Sequence, residues 1–79
     1  MSRTLDTRRH EALRAFLVER RKIAGLRQVD LAKRLGRTQS YVSNTEIGQK
    51  RIALVVLIEW AEALGFDPEQ AITTIDKMR

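Results

Sequence analysis

Apolar residues recur every three or four positions through most of this 79-residue chain, the spacing of amphipathic helices rather than of strands. Leu13, Phe16, Leu17 and Ile23 fall on one face of a first helix predicted over 7–24, with Gly25 as its stop. A second helix is predicted over 28–35, burying Leu31, Ala32 and Leu35, and a third over 39–46, anchored by Val42. Leu57, Ile58, Ala61 and Leu64 form the buried stripe of a fourth, over 54–64. The fifth, over 68–78, carries Ala71, Ile72, Ile75 and Met78 at helical spacing. Its start has the clearest cap in the chain. Asp67 is expected to accept from the Gln70 amide, Pro68 suits the first helical position, and the Gln70 side chain is placed to reach back. The nearest approach to a strand, 52–58, runs on into a helical pattern over 59–64. The prediction is an all-α chain of five helices forming one domain over 1–79.

The junction between the second and third helices is the most informative stretch. Gly36 follows Leu35 where the chain must leave a helix in a left-handed conformation, which costs a residue with a Cβ ~1 kcal/mol or more. Thr38 then caps the next helix two residues later. So short a link fixes the angle between the two helices. Beyond it stand Gln39, Ser40, Tyr41, Ser43 and Asn44, a row of uncharged hydrogen-bonding side chains. Such a row is poor at making a core and good at reading base edges. Ser and Asn are mediocre helix formers and odd choices for a plain surface. The segment 28–46 therefore reads as a helix-turn-helix.

Charge sharpens this picture. The net charge is +5, and the sequence pI of about 10.5 lies beyond the ~9 that accompanies a nucleic-acid footprint. Residues 1–51 hold 13 Lys/Arg against 5 Asp/Glu, a net +8, whereas residues 52–79 hold 2 against 5, a net −3. The first two thirds attract a polyanion and the last third does not. With no cysteine, disulfides and thiolate metal sites are excluded, in keeping with a reducing cytoplasm where such a protein would sit on the nucleoid. No apolar run approaches the ~18 residues of a membrane span, and no signal-peptide pattern follows the basic N-terminus. The only histidine, His10, has no clustered carboxylates, so surface or cap duty is expected of it rather than metal binding. An enzyme is disfavoured: there is no phosphate-cradling glycine loop, and the chain is short for a pocket of ~300 Å³ or more. No cofactor or small-molecule ligand is implied.

From about residue 20 to 68 the chain resembles the Cro and phage-repressor type of helix-turn-helix domain, the Xre family of bacterial and phage regulators. The resemblance is carried by Gly25-Leu26, Leu31-Ala32, Leu35-Gly36, Gln39-Ser40, Val42-Ser43, Glu46, Gly48, Lys50-Arg51 and Ala61 to Gly65. It implies a compact five-helix, lambda-repressor-like bundle that regulates transcription, as a repressor, by binding double-stranded operator DNA as a dimer on a palindrome. Carried over by position, it implies base contacts from Gln39, Ser40, Ser43 and Asn44. Gln39 and Asn44 are the strongest readers, since a carboxamide pairs bidentately with adenine. It implies backbone contacts from Arg27, Gln28, Arg37, Thr38, Tyr41, Lys50 and Arg51. Three positions depart from the family pattern. Arg27 and Ala53 replace usual N-cap residues, each cap being worth ~1 kcal/mol. Thr45 replaces a large aliphatic residue, which is expected to seat the third helix less firmly.

Other residues carry weaker signals. Glu46 is expected to support the turn through hydrogen bonds to backbone or Arg side chains. The run Arg20-Arg21-Lys22 reads as a solvated helix face or as phosphate contacts. Trp60 reads as core or as the edge of a dimer contact, and Ile72, Ile75 and Met78 as packing or a dimer stripe. A different class also fits the charge pattern: a protein-interaction module, or an antitoxin-type autorepressor, that binds a partner protein through its acidic C-terminal third.

Overall fold

Five helices follow one another in the computed structural model, which describes residues 4–78: α1 (Thr4–Ile23), α2 (Gln28–Leu35), α3 (Gln39–Ile47), α4 (Leu54–Leu64) and α5 (Pro68–Asp76). No strand occurs among the described residues, and the fold is all-α. Helix α1 starts earlier than the periodicity predicts, because hydrophobic spacing marks a buried face and not where hydrogen bonding begins. It packs along α5, α3 and α4, while α2 packs on α3 and α4.

The core is drawn from every helix: Leu13 and Leu17 of α1, Leu31 and Ala32 of α2, Val42 of α3, Ala71 of α5 and four residues of α4. Fully burying each large aliphatic side chain contributes ~1.5–3 kcal/mol. The α4 set differs from the prediction. Leu57, Ala61 and Leu64 are buried, but Trp60 joins them at 0% exposure and Ile58 lies 38% exposed. Trp60 therefore belongs to the protomer's own core and has no surface to give a dimer contact. Ile23, expected on the buried face of α1, is 65% exposed. It is the last residue of α1. On α5, Ala71 is buried, Ile75 and Met78 are half-buried and Ile72 is exposed. Phe66, in the α4–α5 link, completes the core, its ring edge-on to Phe16 at 5.3 Å with the Arg20 guanidinium 5.4 Å from its centre.

The helix ends show how local chemistry sets the chain's course. Gly36 ends α2 at φ 68°, and the following amide, Arg37 N–H, donates back to the Ala32 carbonyl at 2.9 Å. This closes the helix end with an otherwise orphaned carbonyl satisfied. Thr38 caps α3 as predicted, its Oγ1 accepting from Tyr41 N–H at 3.1 Å. Asp67 also caps, but its carboxylate accepts from Glu69 N–H at 2.9 Å, and Gln70 N–H goes to the Asp67 carbonyl instead. The Asp67 side chain thus reaches one residue less far than expected. Ala53 supplies no side-chain cap to α4. The poor cap at Arg27 is compensated from inside the helix: the Asp30 carboxylate accepts from Arg27 N–H at 2.9 Å and from its guanidinium at 3.0 and 3.1 Å. That bonding holds the Asp30 carboxyl at about 2, below its ordinary 3.8.

Candidate nucleic-acid interface

The two helices of the turn pack on one another, and α3 is held in addition by α1, and α2 by α4. Glu46, in the last turn of α3, is the only charged residue of that helix. Its carboxylate accepts from Arg21 of α1 twice, Nε to Oε2 at 2.7 Å and Nη2 to Oε1 at 3.1 Å. The two side chains are only 11% and 5% exposed, so this is a nearly buried, bidentate ion pair. Arg21 also donates to the Leu26 carbonyl at 2.9 Å. It thereby fastens the α1–α2 link to the same point. Arg14 donates to the Glu46 carbonyl at 3.3 Å.

From Glu46 the bonding continues to the start of the polar row. Gln28 Nε2 donates to Glu46 Oε1 at 2.8 Å, and Gln39 Nε2 donates to Gln28 Oε1 at 2.8 Å. The direction of this relay follows from donor chemistry. A carboxylate only accepts, so Gln28 must turn its amide nitrogen to Glu46 and its carbonyl to Gln39. Gln39 then spends one N–H on Gln28, which leaves its carbonyl oxygen and second N–H outside the relay. That donor–acceptor pair is what adenine's N7 and N6 edge requires. Gln28 itself, predicted as a phosphate donor, is engaged through both amide atoms, with one N–H remaining.

Around this relay the predicted residues take distinct positions. Gln39 and Ser40 are exposed at the start of α3, while Ser43 and Asn44 are half-buried. Thr45 points inward, 3% exposed, and its hydroxyl donates to the Tyr41 carbonyl at 2.8 Å. The hydroxyl is satisfied within the helix, so the missing aliphatic side chain leaves no unpaired polar group in the core. Tyr41 gathers cations: the Arg37 guanidinium stands 4.8 Å and the Lys50 ammonium 5.4 Å from its ring centre. Both positive ends are thereby held beside α3. Thr38, Lys50 and Arg51 are exposed. Arg27 is exposed as well, but its guanidinium is paired with Asp30.

Sequence reasoning did not assign Arg21. It read Arg20, Arg21 and Lys22 as one run, whereas Arg20 leans on Phe66, Arg21 turns inward and Lys22 alone of the three is exposed. The available signal was a lone acid on an otherwise uncharged α3, which asks for a cation elsewhere. Hollows of about 370–500 Å³ do open on the surface, larger than the chain length led us to expect, and mostly charged side chains line them. Among the described residues no group of His, Asp and Glu is arranged to hold a metal ion. Among the same residues no helix is long and apolar enough to cross a membrane.

Residues 2–71 match the model of a helix-turn-helix domain family. The chain is also similar to an Xre-family-like protein of known structure from Pseudomonas syringae pv. tomato str. DC3000. The two share 35% identity and a TM-score of 0.89, over 98% of this chain and 94% of that one. A second similar structure is the clp gene regulator ClgR from C. glutamicum, at 26% identity and a TM-score of 0.78, over 89% of this chain and 91% of the other. No curated protein matches the chain in sequence. The chain belongs to the helix-turn-helix family of DNA-binding regulators, of the Xre type.

Proposed function

We propose that this protein is a sequence-specific transcriptional repressor that binds a palindromic double-stranded operator as a homodimer, with α3 in the major groove. The observation that carries the reading is the relay from Arg21 through Glu46 and Gln28 to Gln39. A side chain meant only for solvent has no need of a nearly buried ion pair to orient it. In this reading Gln39, Ser40, Ser43 and Asn44 contact base edges. Arg37, Thr38, Tyr41, Lys50 and Arg51 contact phosphates, and Arg27 does so in competition with Asp30. Gln28 holds Gln39 and gives its remaining N–H to the DNA backbone. The protein would act in the cytoplasm, on the chromosome.

The test is selection of bound duplexes from a random DNA pool at about physiological salt. Enrichment of a palindrome whose half-sites lie about one helical turn apart (~34 Å) supports the reading and supplies the operator. Binding that is salt-sensitive but enriches no sequence would overturn it and favour a partner-protein role for the acidic C-terminal third.

A further inference from the structure

The face of α3 that carries the polar row is not wholly polar. At 3.6 residues per turn, Gln39, Ser43, Ser40 and Asn44 follow one another around the helix within an arc of about 140°. On the same scale Ile47 falls between Ser43 and Ser40, four residues beyond the one and seven beyond the other. Val42 and Thr45, the two buried residues of α3, lie on the other side. Ile47 is 59% exposed and is the only aliphatic side chain on the face assigned to base edges.

The helix itself gives no reason for an isoleucine there. A last turn favours a cation, and α3 has none in that position. A β-branched residue is a mediocre helix former, and Ile47 takes no part in the core. The groove does give a reason. Its base edges are hydrogen-bond donors and acceptors with one apolar exception, the C5-methyl group of thymine. Branching at Cβ also holds an isoleucine in a helix to nearly one χ1 rotamer, so contact costs little side-chain freedom.

We propose that Ile47 is a specificity-determining residue that packs on a thymine methyl group and so selects thymine over cytosine at one position of each half-site. The inference rests on the operator-binding reading and extends it to a residue outside the polar row. Cytosine at that position lacks the methyl group and presents an amino group, which Ile47 leaves without an acceptor. The place of the thymine follows from the helix. Gln39 opens α3 and Ile47 closes it, about 12 Å further along the axis. The thymine therefore lies at the opposite end of the bases that α3 spans from the one facing Gln39.

The experiment takes the duplex recovered by selection and replaces its thymines with deoxyuridine, one position of the half-site at a time. That change removes the methyl group and keeps every hydrogen-bonding atom. Affinities of wild type and Ile47→Ala for each duplex are measured by fluorescence anisotropy at fixed salt. Circular dichroism reports whether the variant is folded, and Ile47→Asn replaces it should helix be lost. At one position wild type should lose about fourfold in affinity for each methyl group removed. There Ile47→Ala should bind the thymine and deoxyuridine duplexes equally. Wild-type binding that ignores every methyl group, or a methyl effect that persists in full in Ile47→Ala, would overturn the proposal. Either result leaves the operator reading standing, because the duplex was still selected. A pool that enriches no sequence removes both readings.

Discussion

At Glu46 three helices meet through one carboxylate. Arg21 comes from α1 and Gln28 from α2, while Glu46 itself ends α3. Removing that carboxylate leaves the Arg21 charge nearly buried and unpaired, a loss of ~3–5 kcal/mol. That is a large share of the ~5–15 kcal/mol that holds a small domain together. Glu46→Ala should therefore lower the urea midpoint steeply, with the slope of the transition unchanged. An unaltered midpoint would mean that the pair contributes nothing to the fold. The supporting role of Glu46 was legible in the sequence. Its partner was not, because Arg21 lies 25 residues away inside a basic run, and only a folded α1 decides which of three consecutive cations turns inward.

Individual helices show two ways in which their ends can be tested. The Asp30 carboxyl is held at about 2, against an ordinary 3.8, first by its hydrogen bonds to the Arg27 side chain and then by the one to Arg27 N–H. Between those values the unfolded state binds more protons than the folded one, so stability falls as pH falls. Its contribution is complete above about pH 4 and is lost as pH drops through about 2. Melting temperatures measured across that window should fall less steeply for Asp30→Asn than for wild type. The difference should be small because the pair is exposed. The second test is at Gly48, which ends α3 at φ 88°. A Cβ there would lie 2.8 Å from the Arg14 guanidinium carbon, and Arg14 would have to leave the Glu46 carbonyl. Gly48→Ala should cost ~1 kcal/mol or more from the backbone alone. Each kcal/mol lowers Tm by about 4–8 °C in a domain of this size, and a thermal melt of the variant measures it. The glycine stops and the Thr38 cap could be read from neighbouring residues, since they satisfy only their own helix. The Asp30 compensation at Arg27 could be missed because an arginine carries no acceptor and does not look like a cap.

For the whole molecule the uneven charge has a measurable consequence. Residues 1–51 carry a net +8 and include both halves of the helix-turn-helix, so DNA affinity should depend strongly on salt. Lys50→Ala should weaken binding to all sequences alike and lower the salt slope by about one. Asn44→Ala should leave that slope in place and cost ~1–3 kcal/mol on the preferred site alone. Titrations of both variants at several salt concentrations separate the two roles. Identical behaviour of the two would remove the division between base and backbone contacts.

Much of this protein follows from short-range pattern. Helical spacing, three glycine stops and two caps are enough to place α2 to α5 and the turn, because a helix and its ends are stabilised by residues within a few positions of one another. The polar row from Gln39 to Asn44 is legible for the same reason. Tertiary structure decided what depends on which side of a helix a neighbour covers. It took Trp60 and Phe66 into the core, left Ile23 and Ile58 outside, and joined Arg21, Glu46, Gln28 and Gln39 across three helices. On α4 nearly every position is apolar, so periodicity finds Leu57, Ala61 and Leu64 but cannot choose between Ile58 and Trp60 for the remaining inner place. Packing against α1, α2 and α5 decides it, and in doing so leaves Leu54, Val55 and Ile58 on the outside.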